Sequence, residues 1–179
     1  MKFFFFSCCV DEVASEHVNG DSIIHFGHAC LSPVIEIPVF YIFPKENLNL
    51  DLFCRCLEDF KCDHQEIIIF YDDSYHHLYE KMKSKISSYE ILLKIKNFYN
   101  LTFSLSLSQG TLKHKPNVFI SKLNLSTTSC DANNDDNRII CGRIFKCQSN
   151  ETTSAIFLGN ECVTLENLVL SLPGEFNFQ

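Results

Sequence analysis

Glu66-Ile67-Ile68-Ile69-Phe70-Tyr71 is the stretch that decides the fold. Its continuous apolar run has no polar face to turn toward water. A strand of this kind is buried on both sides, as in a parallel sheet covered by helices. Upstream, Asn49 to Phe60 places Leu50, Phe53, Leu57 and Phe60 at helical spacing, with Asn49 or Asn47 available as the cap. Downstream, Ser74 opens a helical run through Leu78, Met82 and Ile86, then Ile91, Leu92, Ile95 and Phe98. Shorter strands are predicted at residues 3–6, Ser22 to Phe26, Ile37 to Phe43, Leu101 to Leu107 and Val118 to Leu123, and a helix at Val10 to Val18 with Val13 and His17 on one face. Strands and helices alternating over short connections define the class as α/β, a Rossmann-like parallel sheet flanked by helices. Right-handed crossovers gather the C-terminal ends of such strands along one edge, where these folds bind ligands.

Ser126 to Asn137 carries almost nothing to bury and reads as a loop or linker. Beyond it, Arg138 to Phe145 and Ala155 to Leu158 are predicted strands. Thr164 to Leu172 is a predicted helix, capped by Thr164 and stopped by Pro173-Gly174. The expected organisation is a first α/β domain over residues 1–124 and a flexible segment over 125–137. Residues 138–179 would then hold the closing strand of that domain and the opening strand and helix of a second, similar one. One strand and one helix cannot bury a core alone, so the second domain reads as cut short.

At 179 residues, 46% hydrophobic and 21% charged, the composition is that of a folded globular chain. A net charge of -7 argues against a general nucleic-acid binder. No apolar stretch approaches the ~20 residues that cross a bilayer. Ten Cys is a high count, pointing to disulfides outside the cell or metal ligation inside it. Met1 to Val10 has the basic start and short apolar run of a small signal sequence, and N-x-S/T sites at Asn100, Asn124 and Asn150 fit secretion. Against this, Asp11 and Glu12 follow at once and no small-residue cleavage site is evident.

Cys8-Cys9-Val10-Asp11 and His25-Phe26-Gly27-His28-Ala29-Cys30 each follow a predicted strand. In a parallel sheet both segments reach the same edge, so Cys9 and Cys30 can converge across a 21-residue separation. Converging thiolates hold zinc or an iron–sulfur cluster, although free Cys is more commonly a small buried hydrophobe. Adjacent side chains point in different directions, and the sequence leaves Cys8 open as the alternative to Cys9. Gly27 allows a tight turn or a close approach to a cofactor.

These segments, with Leu31-Ser32-Pro33 and the strand Ile37-Pro38-Val39-Phe40-Tyr41-Ile42-Phe43, resemble the first domain of the diphthamide synthesis proteins. That family carries Cys-Cys-Val-Asp after its first strand and His-(Phe/Tyr)-Gly-x-(Ala/Ser)-Cys-Leu after its second. Of its two paralogous subunits, the second, accessory one is more similar here, through Asp11-Glu12-Val13-Ala14, Glu16-His17-Val18 and Cys30-Leu31-Ser32-Pro33. Weaker likeness extends to Cys141-Gly142-Arg143-Ile144-Phe145, Ile156-Phe157-Leu158-Gly159 and Thr164-Leu165-Glu166-Asn167-Leu168. The resemblance implies a [4Fe-4S] cluster held by three cysteines, of which Cys9 and Cys30 carry over. The third lies in a later domain of the family, and Cys141, Cys147 and Cys162 do not match it. It also implies a cytoplasmic heterodimer with a catalytic paralogous subunit. That complex transfers a 3-amino-3-carboxypropyl group from S-adenosylmethionine to a histidine of elongation factor 2. The accessory subunit would support reduction of the catalytic subunit's cluster without being catalytic alone. The alternative is a docking fragment of the same complex without a cluster.

Other clusters carry less. Cys54-Arg55-Cys56 with Cys62 and His64 suggests zinc, yet residues two apart on a helix do not face each other. His76-His77 after Asp72-Asp73 allows a carboxylate–histidine pair, although a helix cap by Asp73 or Ser74 accounts for those residues more simply. His25 and His28 flank Gly27 and could tune a bound cluster through hydrogen bonds. Lys113-His114-Lys115-Pro116 reads as a solvated basic turn. There is no P-loop, G-x-G-x-x-G or G-x-S-x-G.

Overall fold

A computed structural model describes residues 8–59, 66–87, 117–125, 137–146, 153–172 and 177–178. The decisive stretch is β3 (Glu66–Tyr71), and every residue of it is buried. It pairs in parallel with β4 (Asn117–Ile120) on one side and with β8 (Thr153–Leu158) on the other, and β8 pairs in parallel with β9 (Asn177–Phe178). The sheet order is β4-β3-β8-β9. A second parallel pair joins β1 (Ile23–Phe26) to β2 (Val39–Ile42). The α/β class expected from the sequence is therefore what the chain forms.

The alternation of β3 assigns its two faces. Ile67 and Ile69 pack with Phe53 of α2 (Leu50–Asp59) and with Ile86 of α3, the helix over residues 79–87. Ile68 and Phe70 face the other way, onto Phe145 of β7 (Arg143–Lys146) and onto Leu168 of α4 (Val163–Ser171). Phe70 and Phe145 meet edge to face, with centroids 5.3 Å apart, a favoured aromatic geometry. A third cluster gathers Tyr71, Met82 and Leu123 with Ala29 and Leu31, which carries the core up to the strand ends.

Local sequence explains most element boundaries. Asn49, one of the two expected caps, accepts from the amides of Asp51 and Leu52 at 3.1 and 3.0 Å and starts α2. Asp11 accepts from Ala14 N at 2.9 Å and starts α1 (Glu12–Glu16). That helix is shorter than the predicted Val10 to Val18, and its Val13 is 62% exposed. The helix expected from Ser74 begins as a 3-10 turn over Asp73–Leu78, because Asp72 accepts from Ser74 N at 2.9 Å. Arg138 to Phe145, read as one strand, is a hairpin of β6 (Asn137–Ile140) and β7. It turns at Cys141 and Gly142, whose φ values are +47° and +65°. A turn with two left-handed residues matches the twist of the strands it joins. From β4 the chain passes Ser121 into β5 (Lys122–Leu123), which also pairs with β7.

Within residues 153–172, β8 pairs with β3 through six register positions, and α4 lays Leu168 on the same core. The α4 start also differs from expectation. Its N-cap is Cys162, with no side-chain capping bond, and Thr164 is buried. The strands at residues 3–6 and Leu101 to Leu107, the helical run beyond Ser87, the basic turn at Lys113 and the loop over 126–136 lie outside the described residues.

Phe70→Ala should lower the unfolding free energy by about 3–5 kcal/mol through the cavity it leaves. Phe40→Ala, at a position 61% exposed, should change it by less than about 0.5 kcal/mol. Urea denaturation of the two variants checks the contrast.

Candidate metal centre

Cys8 and Cys9 lie just before α1, and Cys30 lies four residues beyond the end of β1. The Cys30 amide donates to the Cys8 carbonyl at 2.9 Å, which stitches the two segments together. Their three sulfur atoms all lie within 4.8 Å of one another. Cys9 and Cys30 Sγ are 3.2 Å apart, and Cys8 and Cys9 Sγ are 3.8 Å apart. The convergence expected of Cys9 and Cys30 is realised, and Cys8 joins it. Gly27 makes the turn out of β1, with a φ of +103° that other residues rarely adopt and open space beside it.

The thiols are not equivalent. Hydrogen bonds with Cys30 and Cys8, together with burial, push the Cys9 thiol up to about 12. Burial alone would raise Cys30 too, but hydrogen bonds from the Ser32 hydroxyl, 3.2 Å away, and the Ser32 amide outweigh it and hold Cys30 below the ordinary thiol value. A lowered thiol pKa makes Cys30 a readier thiolate ligand than Cys9. Soft thiolates suit zinc or an iron–sulfur centre in donor chemistry.

The loop carrying Cys30 is held from below by Asp73, which is fully buried at the end of β3. One carboxylate oxygen accepts from Ala29 N at 2.8 Å, and the other lies 2.5 Å from His28 Nδ1. Burial raises the Asp73 carboxyl above the usual carboxylate range, although the Ala29 amide and His28 oppose it. Asp72 is held below that range: burial works against its charge, but the Ser74 amide and hydroxyl outweigh it. His28, Asp72 and Asp73 also form a grouping of possible metal ligands. Both Asp73 oxygens and Asp72 Oδ1 already carry these bonds, so the grouping is satisfied as an anchor.

A second contact fixes the loop from the side. Leu31 adopts a φ of +55° directly under the β6–β7 turn. A Cβ on Gly142 would lie 2.2 Å from Leu31 Cβ and 2.7 Å from its carbonyl oxygen, so only glycine admits this approach. Arg143, next in sequence, is fully buried; it donates to the Cys141 carbonyl at 2.9 Å and to the Tyr71 carbonyl at 3.5 Å. A cavity of about 290 Å³ opens beside the thiols, lined by Cys8, His28, Cys30, Cys162 and the first turn of α4.

The remaining sequence candidates fall elsewhere. The carboxylate–histidine pair exists, but its histidine is His28. His76 instead stacks on Tyr71, and His77 bonds the Ser74 carbonyl at 3.0 Å. Asp73 is the anchor and Asp72 the cap, in place of the expected Asp73 or Ser74 cap. His25 contacts the His28 carbonyl at 3.0 Å and packs on Tyr41. Cys54 packs toward the core while Cys56 is exposed; Cys62 and His64 lie outside the described residues, as do Asn100, Asn150 and Cys147. The sequence reading missed the roles that Asp73, Arg143 and Ser32 play here: it makes Asp73 a cap or histidine partner, and the other two only part of the resemblance. Only an acidic pair at a strand end hinted at the first.

Fold and site together define an α/β protein with a thiol centre at the C-terminal edge of its parallel strands. The chain belongs to the diphthamide synthesis protein family, whose model matches residues 3–178. Relatives include 2-(3-amino-3-carboxypropyl)histidine synthase subunit 2 of Xenopus laevis, 31% identical over 93% of this chain and 30% of the relative. The Danio rerio protein of the same name is 30% identical over 92% of this chain and 31% of the relative. That of Candida glabrata is 47% identical over 44% of this chain and 15% of the relative. The chain spans about a third of the length of the first two. No solved structure gives a significant match.

Asp73→Ala should cost about 1–3 kcal/mol by leaving the buried Ala29 amide unpaired, whereas Asp73→Asn keeps an acceptor and should cost less. Gly142→Ala should cost about 2 kcal/mol or more through the clash with Leu31. Denaturant titration checks both. In metal-free protein, the rate of Cys30 alkylation should rise in Asp73→Ala as its loop is released.

Proposed function

We propose that this chain is an accessory, second-subunit component acting in the first step of diphthamide biosynthesis. The observation that carries the reading is the convergence of Cys9 and Cys30 at one strand edge, within a chain whose relatives bear the name of that synthase subunit. In this reading the reaction transfers a 3-amino-3-carboxypropyl group from S-adenosylmethionine to a histidine of elongation factor 2. A catalytic paralogous subunit is the partner, and the complex acts in the cytoplasm without membrane or nucleic acid. Among the described residues, no helix is long and apolar enough to cross a membrane.

Cys9 and Cys30 are the proposed thiolate ligands of a [4Fe-4S] cluster. When bound, such a cluster supplies single electrons to its counterpart in the catalytic subunit. The chain's own residues hold and orient the thiolates: Ser32 stabilises the Cys30 anion, and Asp73 and Gly142 set the loop from two sides. The third family cysteine has no match here.

A second reading is a docking component without a cluster, and one surface favours it. Ile24 pairs in register with Phe40 and Phe26 with Ile42, and all four side chains are exposed on one face of the β1–β2 pair. A contiguous apolar face of this kind suits contact with another protein.

Iron and acid-labile sulfide, measured on anaerobically co-expressed complex, separate the two. The cluster reading expects iron beyond that of the catalytic subunit alone, lost in Cys9→Ala and in Cys30→Ala. Co-purification with no added iron leaves the docking role, and failure to co-purify overturns both.

A further inference from the structure

We propose that the cleft between α3, β4 and the β5–β7–β6 sheet binds a nucleoside polyphosphate. Its phosphates would meet Lys83, Lys122 and Lys146, and its base and sugar the floor between them. The inference goes beyond the proposed function, and this cleft shares no residue with the cavity beside the thiols. Its volume is about 370 Å³, within the range of small-molecule sites. Two periodicities assemble it. On α3, Tyr79, Lys83, Ile86 and Ser87 are spaced by three or four residues and share one face. On β7, Ile144 and Lys146 are two apart and point the same way. Lys122 of β5 is the register partner of Ile144, and Asn137 of β6 is that of Lys146. Lys122 and Lys146 therefore stand on one face of the three-stranded sheet, and Val118 and Ile120 of β4 complete the floor.

Among the described residues, every charged side chain that lines the cleft is cationic. The whole chain carries 22 acidic residues and a net charge of -7, so this is a local reversal of sign. Among the described residues, none of the three lysines forms an ion pair, whereas Lys85 on the same helix pairs with Asp51 at 2.6 Å and does not line the cleft. Lys83 Nζ rests over the Tyr79 ring, 5.9 Å from its centre, which holds it at the cleft wall. The charge of Lys122 reaches inward: burial first, and then Lys122, hold His76 below its ordinary value. A cleft lined by one sign of charge concentrates its field and draws counter-ions, and ammonium groups meet phosphate as point charges. The apolar floor of Ile86, Val118, Ile120 and Ile144 would be wasted on a bare anion, and Ser87 and Asn137 offer hydrogen bonds to a sugar. An anion with an organic body uses all of these groups.

The test is isothermal titration calorimetry of the 179-residue chain at low salt, with Mg²⁺-free ATP, tripolyphosphate and adenosine in turn. The expected result is one ATP per chain. Tripolyphosphate should compete with it and bind about tenfold more weakly, for want of the apolar contact. Adenosine should bind more weakly than either. Lys83→Gln and Lys146→Gln should each weaken ATP about twofold to fivefold, and the double variant by about the product of the two. These losses should shrink as added salt screens the charges. Lys85→Gln makes the same charge change on the same helix outside the cleft, and should leave the affinity unchanged. Circular dichroism confirms that each variant is folded. No ATP binding, or equal losses in Lys83→Gln and Lys85→Gln, overturns the proposal. Equal affinity for tripolyphosphate and ATP overturns the organic ligand and leaves an adventitious ion only. Adenosine binding as tightly as ATP overturns the role of the lysines.

Discussion

The contact on which the site depends is the buried carboxylate of Asp73 gripping the loop that carries Cys30. Its two oxygens meet the Ala29 amide and the His28 ring, residues 44 and 45 positions away in sequence. Asp73 follows β3, the most deeply buried strand, so the loop inherits the rigidity of the sheet centre. Without that tie, the chain between β1 and β2 would have to be ordered at an entropic cost of about 1–2 kcal/mol per residue. The Gly142 turn closes the loop from another side, at a distance that no Cβ permits. The thiols are thus positioned by three distant parts of the chain: the end of β3, the β6–β7 turn and the segment before α1.

Much of this was legible in the sequence, and the limits are physical. The apolar run of β3 revealed a doubly covered parallel strand because burial on both faces leaves no room for polar residues. Cys9 and Cys30 were legible because both follow predicted strands, and parallel strands deliver their C-terminal ends to one edge; of the two strands, β1 lies among the described residues. The β6–β7 turn was not legible: Cys141 is no usual left-handed residue, and a single glycine does not announce a hairpin. Asp73 was hidden for another reason. An acid at a strand end caps the following turn in most proteins, and here Asp72 takes that role while its neighbour reaches 44 residues back. Tertiary partners so far apart leave no local periodicity to read. The segment around Val13 shows the opposite error, since its spacing suggested a helix over Val10 to Val18 where α1 runs for only five residues.

Placement in the diphthamide synthesis family and the thiol geometry bear on different questions. Family membership accounts for the Cys-Cys pair and for the motif around Cys30 without saying what the thiols hold. The proximity of the three sulfurs shows that one centre can gather them, and the family alone suggests which. The thiols are unequal: the Ser32 hydrogen bonds favour the Cys30 anion, whereas hydrogen bonds with Cys30 and Cys8 favour the protonated Cys9 thiol.

The central claim is that the segment before α1 and the loop after β1 meet through their thiols in the folded chain. The most direct test is oxidation of the reduced, metal-free protein with diamide, which takes two hydrogens from a thiol pair and leaves a disulfide. Digestion at Asp and Glu then separates the Cys8–Cys9 fragment from the Cys30 fragment, and mass spectrometry reads which fragments are linked. The account predicts that the main product joins these two. Cys30 recovered unlinked, or joined instead to Cys54 or Cys56, would contradict it.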